Sequence, residues 1–286
     1  MKKKRSFHSY DRTLTRAEAQ ELLDHLPSFQ RNMSDSVVKR YTRDLEADNY
    51  VDGVPMVAVD GKGKLLNGQH VLASFLRSKK KELEITFQVN TDPRAYEAFD
   101  QLRKRSAKDA LKAIGVDHPT EVAGVATVLW QYFRGSFNGK KWIAARNGED
   151  FPTNAENKEI LKKCPGIEAH LHKLPKEFKG CGFSMSAFRA CSYVLHQIDQ
   201  KAAQKFFQSL IEGINFPSTQ DPVCSLRNYL LSLKNSRIRN GETMAVIFKT
   251  WELHRAGQLA PRGVQMKRTE EFPDVMHQAI NSVVVN

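Results

Sequence analysis

Strand-forming patterns stop near residue 105, and this change of period constrains the fold more than any other feature of the chain. Val54 to Val59 reads as a strand, Asp60-Gly-Lys-Gly63 as a tight turn and Leu65-Leu66 as the return strand of a hairpin. Leu83 to Val89 reads as a third strand after a lysine run. Between them lie helical signals. Thr15-Arg-Ala-Glu18 is a capping box before Leu22, Leu23 and Leu26, and Pro27 closes that helix. A second helix starts at Ser34, with Val37, Val38, Tyr41 and Leu45 at helical spacing, and a third follows Asn67-Gly-Gln-His70, with Val71, Leu72, Phe75 and Leu76 on its apolar face. From Ser106 onward the pattern is helical almost throughout. Helices are expected from Ser106, over Thr120 to Phe133, after the Thr153-Asn-Ala-Glu156 box, and over Ser186 to Ile198, Lys201 to Ile211, Val223 to Leu233 and Glu242 to His254. The expected class is therefore α+β, with a small mixed α/β domain over 1–105, a helical domain of about six helices over 106–257 and a polar, surface-bound or loose tail over 258–286.

With 41% hydrophobic residues among 286, the chain has material for a core, so wholesale disorder is not expected. No stretch approaches the ~18 consecutive apolar residues that a membrane span needs. Met1-Lys-Lys-Lys-Arg5 has no apolar run after it, so a secretory leader is not expected and the expected location is cytoplasmic. The 44 Lys and Arg against 32 Asp and Glu leave a net charge of +12. Such an excess favours polyanion partners, because each phosphate neutralised releases counterions. DNA is the natural candidate and RNA a second. The clusters Lys79-Lys-Lys81, Arg103-Lys104-Arg105 and Lys140-Lys141 concentrate that charge locally. Cys164, Cys181, Cys191 and Cys224 include no C-x-x-C pair, so reduced thiols are expected rather than a zinc ribbon or a disulfide framework. His170 and His172 between two of these cysteines invite a mixed metal site, but histidines two apart on a helix face different ways, and no metal is expected.

The segment richest in chemistry is Asp60-Gly-Lys-Gly-Lys-Leu-Leu-Asn-Gly-Gln-His70, a hairpin that delivers a glycine and two polar side chains to the first turn of a helix. Free amides and the positive end of the helix dipole suit an anion there, and Gly68 lets the backbone approach a phosphate closely. Gln69 can supply an amide donor, and His70 an imidazolium or a general acid/base, which makes them the catalytic candidates. Lys62 and Lys64 precede them. The plainer alternative is that Asn67-Gly68 is an ordinary turn and His70 a helix-start residue.

Leu65-Leu-Asn67-Gly68-Gln69-His70-Val71-Leu-Ala73 resembles the NGQHR or DGQHR box of the ParB/sulfiredoxin-like superfamily, in particular a group found in phages and mobile elements. Gln30-Arg31-Asn-Met-Ser34, Phe99-Asp100 and Arg103-Lys-Arg-Ser-Ala107 are similar to that group's flanking segments, and Pro152 to Glu156, Asp221-Pro222 and Ala245 to Trp251 to its helical part. The resemblance implies a ParB/sulfiredoxin-like amino-terminal fold whose box turn, Asn67 to His70 with Arg31 and Lys64 as supporting cations, holds a nucleotide or a backbone phosphate. ATP or CTP would be the nucleotide, with Mg2+ if the site is catalytic. Relatives with this fold differ in activity, so the fold alone does not choose between a DNA-binding nucleotide hydrolase, a nuclease and a regulator. The box arginine, a phosphate ligand in the family, is Val71 here, which puts hydrolysis in doubt. The leading expectation is a DNA-acting phage or mobile-element protein, with a non-catalytic regulator and a metal-dependent nuclease as alternatives.

Three further features bear on partners. Arg103, Lys104 and Arg105 precede a helix start and could grip a nucleic-acid backbone, or could be solvated linker charges. Phe133 to Trp142, with Lys140 and Lys141, interleaves rings and cations as base-stacking loops do, though burial of those rings is the commoner arrangement. Glu46, Asp52 and Asp60 are carboxylates of the kind a nuclease metal needs, but their spacing singles out none of them.

Overall fold

The computed structural model describes residues 7–28, 30, 32–50, 56–95, 99, 106–143, 150–234, 236–273 and 275. The chain is α+β, with one four-stranded mixed sheet and ten α-helices among those residues. It divides into two compact units, one comprising Met1–Arg105 with Asn147–Ala155, the other Ser106–Arg146 with Glu156–Asn286.

The sheet unit runs β1 (His8–Thr15), α1 (Arg16–Asp24), α2 (Asp35–Glu46), β2 (Met56–Val59), β3 (Leu65–Asn67), α3 (Gln69–Arg77) and β4 (Glu82–Val89). The strand order is β1-β4-β2-β3. β4 is antiparallel to β1, with Leu14 opposite Leu83 and Arg12 opposite Ile85, and parallel to β2, with Val57 opposite Phe87. Alternation decides which face is covered. Leu83, Ile85 and Phe87 join Leu14, Val57, Val59, Leu65, Leu72 and Phe75 in one core, while Glu82 and Glu84 point to water. β1 has no counterpart among the expected strands. Seven of its eight residues are exposed or half-exposed and only Leu14 is buried, so its register is set by pairing with β4 rather than by an apolar pattern.

α1 opens on the expected capping box, with the Glu18 amide meeting the Thr15 hydroxyl and the Glu18 carboxylate accepting from the Thr15 amide at 2.8 Å. Its first residue ties it to α3. The Arg16 guanidinium donates to the carbonyls of Phe75 (3.2 Å), Leu76, Ser78 (2.9 Å) and Lys80 (3.1 Å), gathering carbonyls at and just beyond the end of α3. α2 and α3 pack through small hydroxyls. Ser74 Oγ lies 3.1 Å from the Val38 carbonyl, and Thr42 Oγ1 donates to the same oxygen at 2.8 Å. Residues 150–153 return to this unit, where Arg43 donates to the Phe151 carbonyl (3.0 Å) and Thr153 Oγ1 to the Asp44 carboxylate (2.7 Å).

Seven α-helices follow: α4 (Ala107–Lys112), α5 (Pro119–Phe133), α6 (Asn154–Lys163), α7 (Met185–Ile198), α8 (Gln200–Glu212), α9 (Pro222–Ser232) and α10 (Asn240–Arg255). α7 and α10 are buried on nearly every side, α7 through Ala187, Phe188, Ala190, Cys191, Ser192, Tyr193, Val194 and Leu195, which marks them as the centre of the helical unit. After residue 258, Ala260, Val264 and Phe272 are buried in the helical core, while most of the other described residues there are exposed.

Candidate functional site

The hairpin ahead of the box closes on a side-chain-stabilised turn. Asp60 Oδ1 accepts from the amides of Lys62 (2.7 Å) and Lys64 (3.0 Å), while Gly63 takes a φ of +78°. That carboxylate is thus occupied by the turn, and the Lys62 and Lys64 side chains are exposed. Lys64 and Gly68 flank β3 at opposite ends, roughly 13 Å apart at the rise of an extended chain. The expected convergence of Lys64 on the box turn is therefore not observed.

At the far end of β3 the backbone reverses at Gly68, whose φ of +106° and ψ of 1° favour glycine. Space demands glycine as well. A Cβ there would stand 3.0 Å from Val57 Cγ2 and 3.2 Å from both the Val57 Cα and the Met56 carbonyl oxygen. α3 then begins without a side-chain cap and without an acidic residue in its first turn. The Leu72 amide bonds the Gly68 carbonyl at 3.0 Å, while among the described residues no acceptor meets the amide of Val71. A helix start of this kind carries uncompensated positive potential.

Gln69 and His70 are buried, at 3% and 8% exposure. The His70 ring reaches the start of α2, where its Nε2 accepts the Ser34 amide at 3.0 Å. That nitrogen is consequently unprotonated, and the ring's proton sits on Nδ1. In this arrangement the Nε2 lone pair is engaged by the backbone. His70 joins the amino-terminal ends of α2 and α3.

Of the other expected residues, Asn67 ends β3 opposite Ala58 and is half-buried. Arg31, Asp52, Arg103, Lys104 and Arg105 lie outside the described residues. Glu46 is exposed at the end of α2. Lys140 and Lys141 are exposed and belong to the helical unit. The rings beside them face inward. Phe137 is fully buried and stacks on Phe272 at 5.7 Å, and Trp142 is buried with Nε1 donating to the Glu270 carbonyl at 3.0 Å. The Phe133 to Trp142 loop thus spends Phe137 and Trp142 on the core, and neither ring is placed to stack on a base.

A second polar constellation lies in the helical unit. Ser192, fully buried in α7, is ringed by His172 Nε2 at 2.7 Å, His170 Nδ1 at 3.1 Å and His196 Nδ1 at 3.5 Å from its hydroxyl. On a helix His170 and His172 would diverge. Residues Ile167–His170 form a single 3-10 turn that ends at Leu171, so the two rings reach the same hydroxyl. Burial first, then His196 and His172, pushes His170 down to about 4, and His172 is lowered by burial, His196 and Arg189. Cys164 is apart from this group. Its thiol, pushed up to about 11 by burial, is hydrogen-bonded to Tyr193. Among the described residues no group of three or more His, Cys, Asp or Glu is arranged to hold a metal ion, and no helix is long and apolar enough to cross a membrane.

No protein-family model, curated protein or solved structure matches the chain. The likeness to the box proteins of the ParB/sulfiredoxin-like superfamily rests on the motif residues themselves.

Proposed function

We propose that this is a DNA-acting protein of the phage or mobile-element kind that binds nucleic acid non-catalytically, with a phosphate, from a DNA backbone or from a nucleotide such as CTP or ATP, held at the Gly68 to Val71 turn. The observation that carries the reading is the start of α3, which has a glycine cap, no acid in its first turn and an amide at Val71 that meets no acceptor among the described residues. An anion placed there gains an N–H donor and the helix dipole together. The net charge of +12 supplies the long-range attraction that a polyanion partner exploits. Val71 in the arginine position of the box and the engagement of His70 Nε2 with Ser34 both favour binding without turnover.

The test is fluorescence anisotropy of labelled duplex and single-stranded DNA with the full chain at graded salt, for wild type and Val71→Glu. A glutamate at the third position of a helix suits the dipole and repels a phosphate. Val71 also packs against the sheet-unit core, so the variant melts earlier and binding is compared well below its melting temperature. The expected result is DNA binding that weakens steeply between ~50 and ~200 mM salt and that falls about tenfold in the folded variant. Absence of DNA binding by the wild type at ~50 mM salt, where backbone contacts are strongest, overturns the proposal.

A further inference from the structure

We infer that the cleft beside His170, His172 and His196 binds a nucleobase that carries a phosphate, either a free mononucleotide or one base turned out of a single strand. The cleft has a volume of about 490 Å³, within the size range of small-molecule sites, and is lined by those three histidines with Gln197, Gln200 and Gln204. A carboxamide presents a donor and an acceptor in one plane, which is the pattern the edge of a base offers in return. No carboxylate, lysine or arginine lines the cleft.

The hydrogen bonds around Ser192 place the ring protons. His196 Nδ1 lies 2.7 Å from the Ser192 carbonyl oxygen, which can only accept, so that nitrogen carries a proton. The single Ser192 hydroxyl proton serves either His172 Nε2 or His170 Nδ1, and the other ring donates to the hydroxyl oxygen. His170 and His172 are satisfied here without a positive charge, consistent with their depressed titration. Phe207 lies nearly parallel to His172 (5.9 Å, 16°) and to His196 (6.0 Å, 20°), so an aromatic ring backs both imidazoles. Charge begins at the rim. Lys201 and Lys205 are exposed and adjoin Gln200 and Gln204 on α8, and exposed Lys173 follows His172. Of the nearby acids, Glu168 is exposed, and Asp199 is occupied by Arg255 and the Ala202 amide. A hydrogen-bonding interior, with exposed lysines next in sequence to its lining residues, suits a base with its phosphate. The inference does not rest on the Gly68 turn, which lies in the other unit.

The histidine Hε1 resonances of the full chain provide the readout during titration with AMP, CMP, GMP and UMP, and with ribose 5-phosphate and inorganic phosphate, which lack the base. At least one mononucleotide is expected to shift the His170, His172 and His196 signals, while the base-free phosphates leave them in place. Gln200→Leu with Gln204→Leu should weaken that binding about tenfold, the size of one lost amide-to-base pair, at an unchanged melting temperature. Lys201→Glu with Lys205→Glu should weaken it too. Competition by a single-stranded decamer separates the two sources. Displacement of the mononucleotide by the strand identifies a splayed base, and failure of displacement identifies the free nucleotide. Equal shifts from ribose 5-phosphate, or none from any mononucleotide at millimolar concentration, overturn the inference. Val71→Glu leaves this titration unaffected, so failure here is distinguishable from failure at the Gly68 turn.

Discussion

Gly68→Ala and Gly63→Ala together isolate the contribution of close packing at the box turn. Both glycines have positive φ, +106° and +78°, and both substitutions reduce the freedom of the unfolded chain equally. They differ in space. A Cβ at Gly63 meets nothing within 4 Å, whereas at Gly68 it meets Val57 Cγ2 at 3.0 Å and two main-chain atoms at 3.2 Å. Main-chain atoms of a central strand cannot move without disturbing β4, so the contact cannot be relieved cheaply. A left-handed backbone costs a non-glycine residue about 1 to 2 kcal/mol, and overpacking a tight site adds about 1 to 3 kcal/mol. Gly63→Ala should therefore cost about 1 kcal/mol and Gly68→Ala about 2 to 5 kcal/mol, a large share of a typical domain's ~5 to 15 kcal/mol. The assay must report on the sheet unit. Trp130, Trp142 and Trp251 all lie in the helical unit, so tryptophan fluorescence does not see it. Urea unfolding followed by hydrogen exchange at the β2 and β4 amides does. Equal destabilisation by the two substitutions would refute the packing argument.

Further outcomes follow from the same structure. Arg16→Lys keeps the charge but cannot reach the carbonyls of Phe75, Leu76, Ser78 and Lys80 together, and urea unfolding should show a loss of about 1 to 2 kcal/mol. His170 and His172 titrate below their ordinary value of 6.5, His170 at about 4, so the unfolded chain takes up protons first as pH falls. The stability they contribute is in full above about pH 6.5 and is lost towards pH 4, and His170→Gln should flatten that part of the melting profile; a wild-type profile flat from pH 7 to pH 5 would contradict this. Burial raises the thiols of Cys164 and Cys191, while Cys181 and Cys224 are partly exposed. Ellman's reagent should modify two cysteines quickly in the native protein and four only after denaturation.

Much of the sheet unit was legible because its signals are local. The Thr15 box, the Asp60 turn and the alternation of Leu83, Ile85 and Phe87 each act within a few residues. β1 was not legible, because Ser9, Asp11 and Thr13 face water and only Leu14 is buried, and its identity depends on a partner about seventy residues away. At the candidate site the glycine could be read and the burial could not. Gln69 and His70 resemble exposed helix-start residues until α2 arrives, with its Ser34 amide, from 36 positions earlier. Lys64 is near Gly68 in sequence yet separated by the length of a strand. The histidine cluster escaped notice for a related reason: His170 and His172 converge because a single 3-10 turn replaces the helix, and His196 joins them from α7. In the Phe133 to Trp142 loop, interleaved rings and cations mimic a stacking surface, and only the packing of Phe137 on Phe272 reveals that the rings serve the core.

The Val71 amide carries the central claim, and an amide-resolved titration of the ¹⁵N-labelled chain with short duplex DNA, CTP and ATP at ~50 mM salt addresses it most directly. The largest shifts should fall on Val71 and its neighbours from Gly68 to Leu72, and Val71→Glu should abolish them. Binding that leaves those amides unmoved, or no binding of any of the three, would contradict this claim.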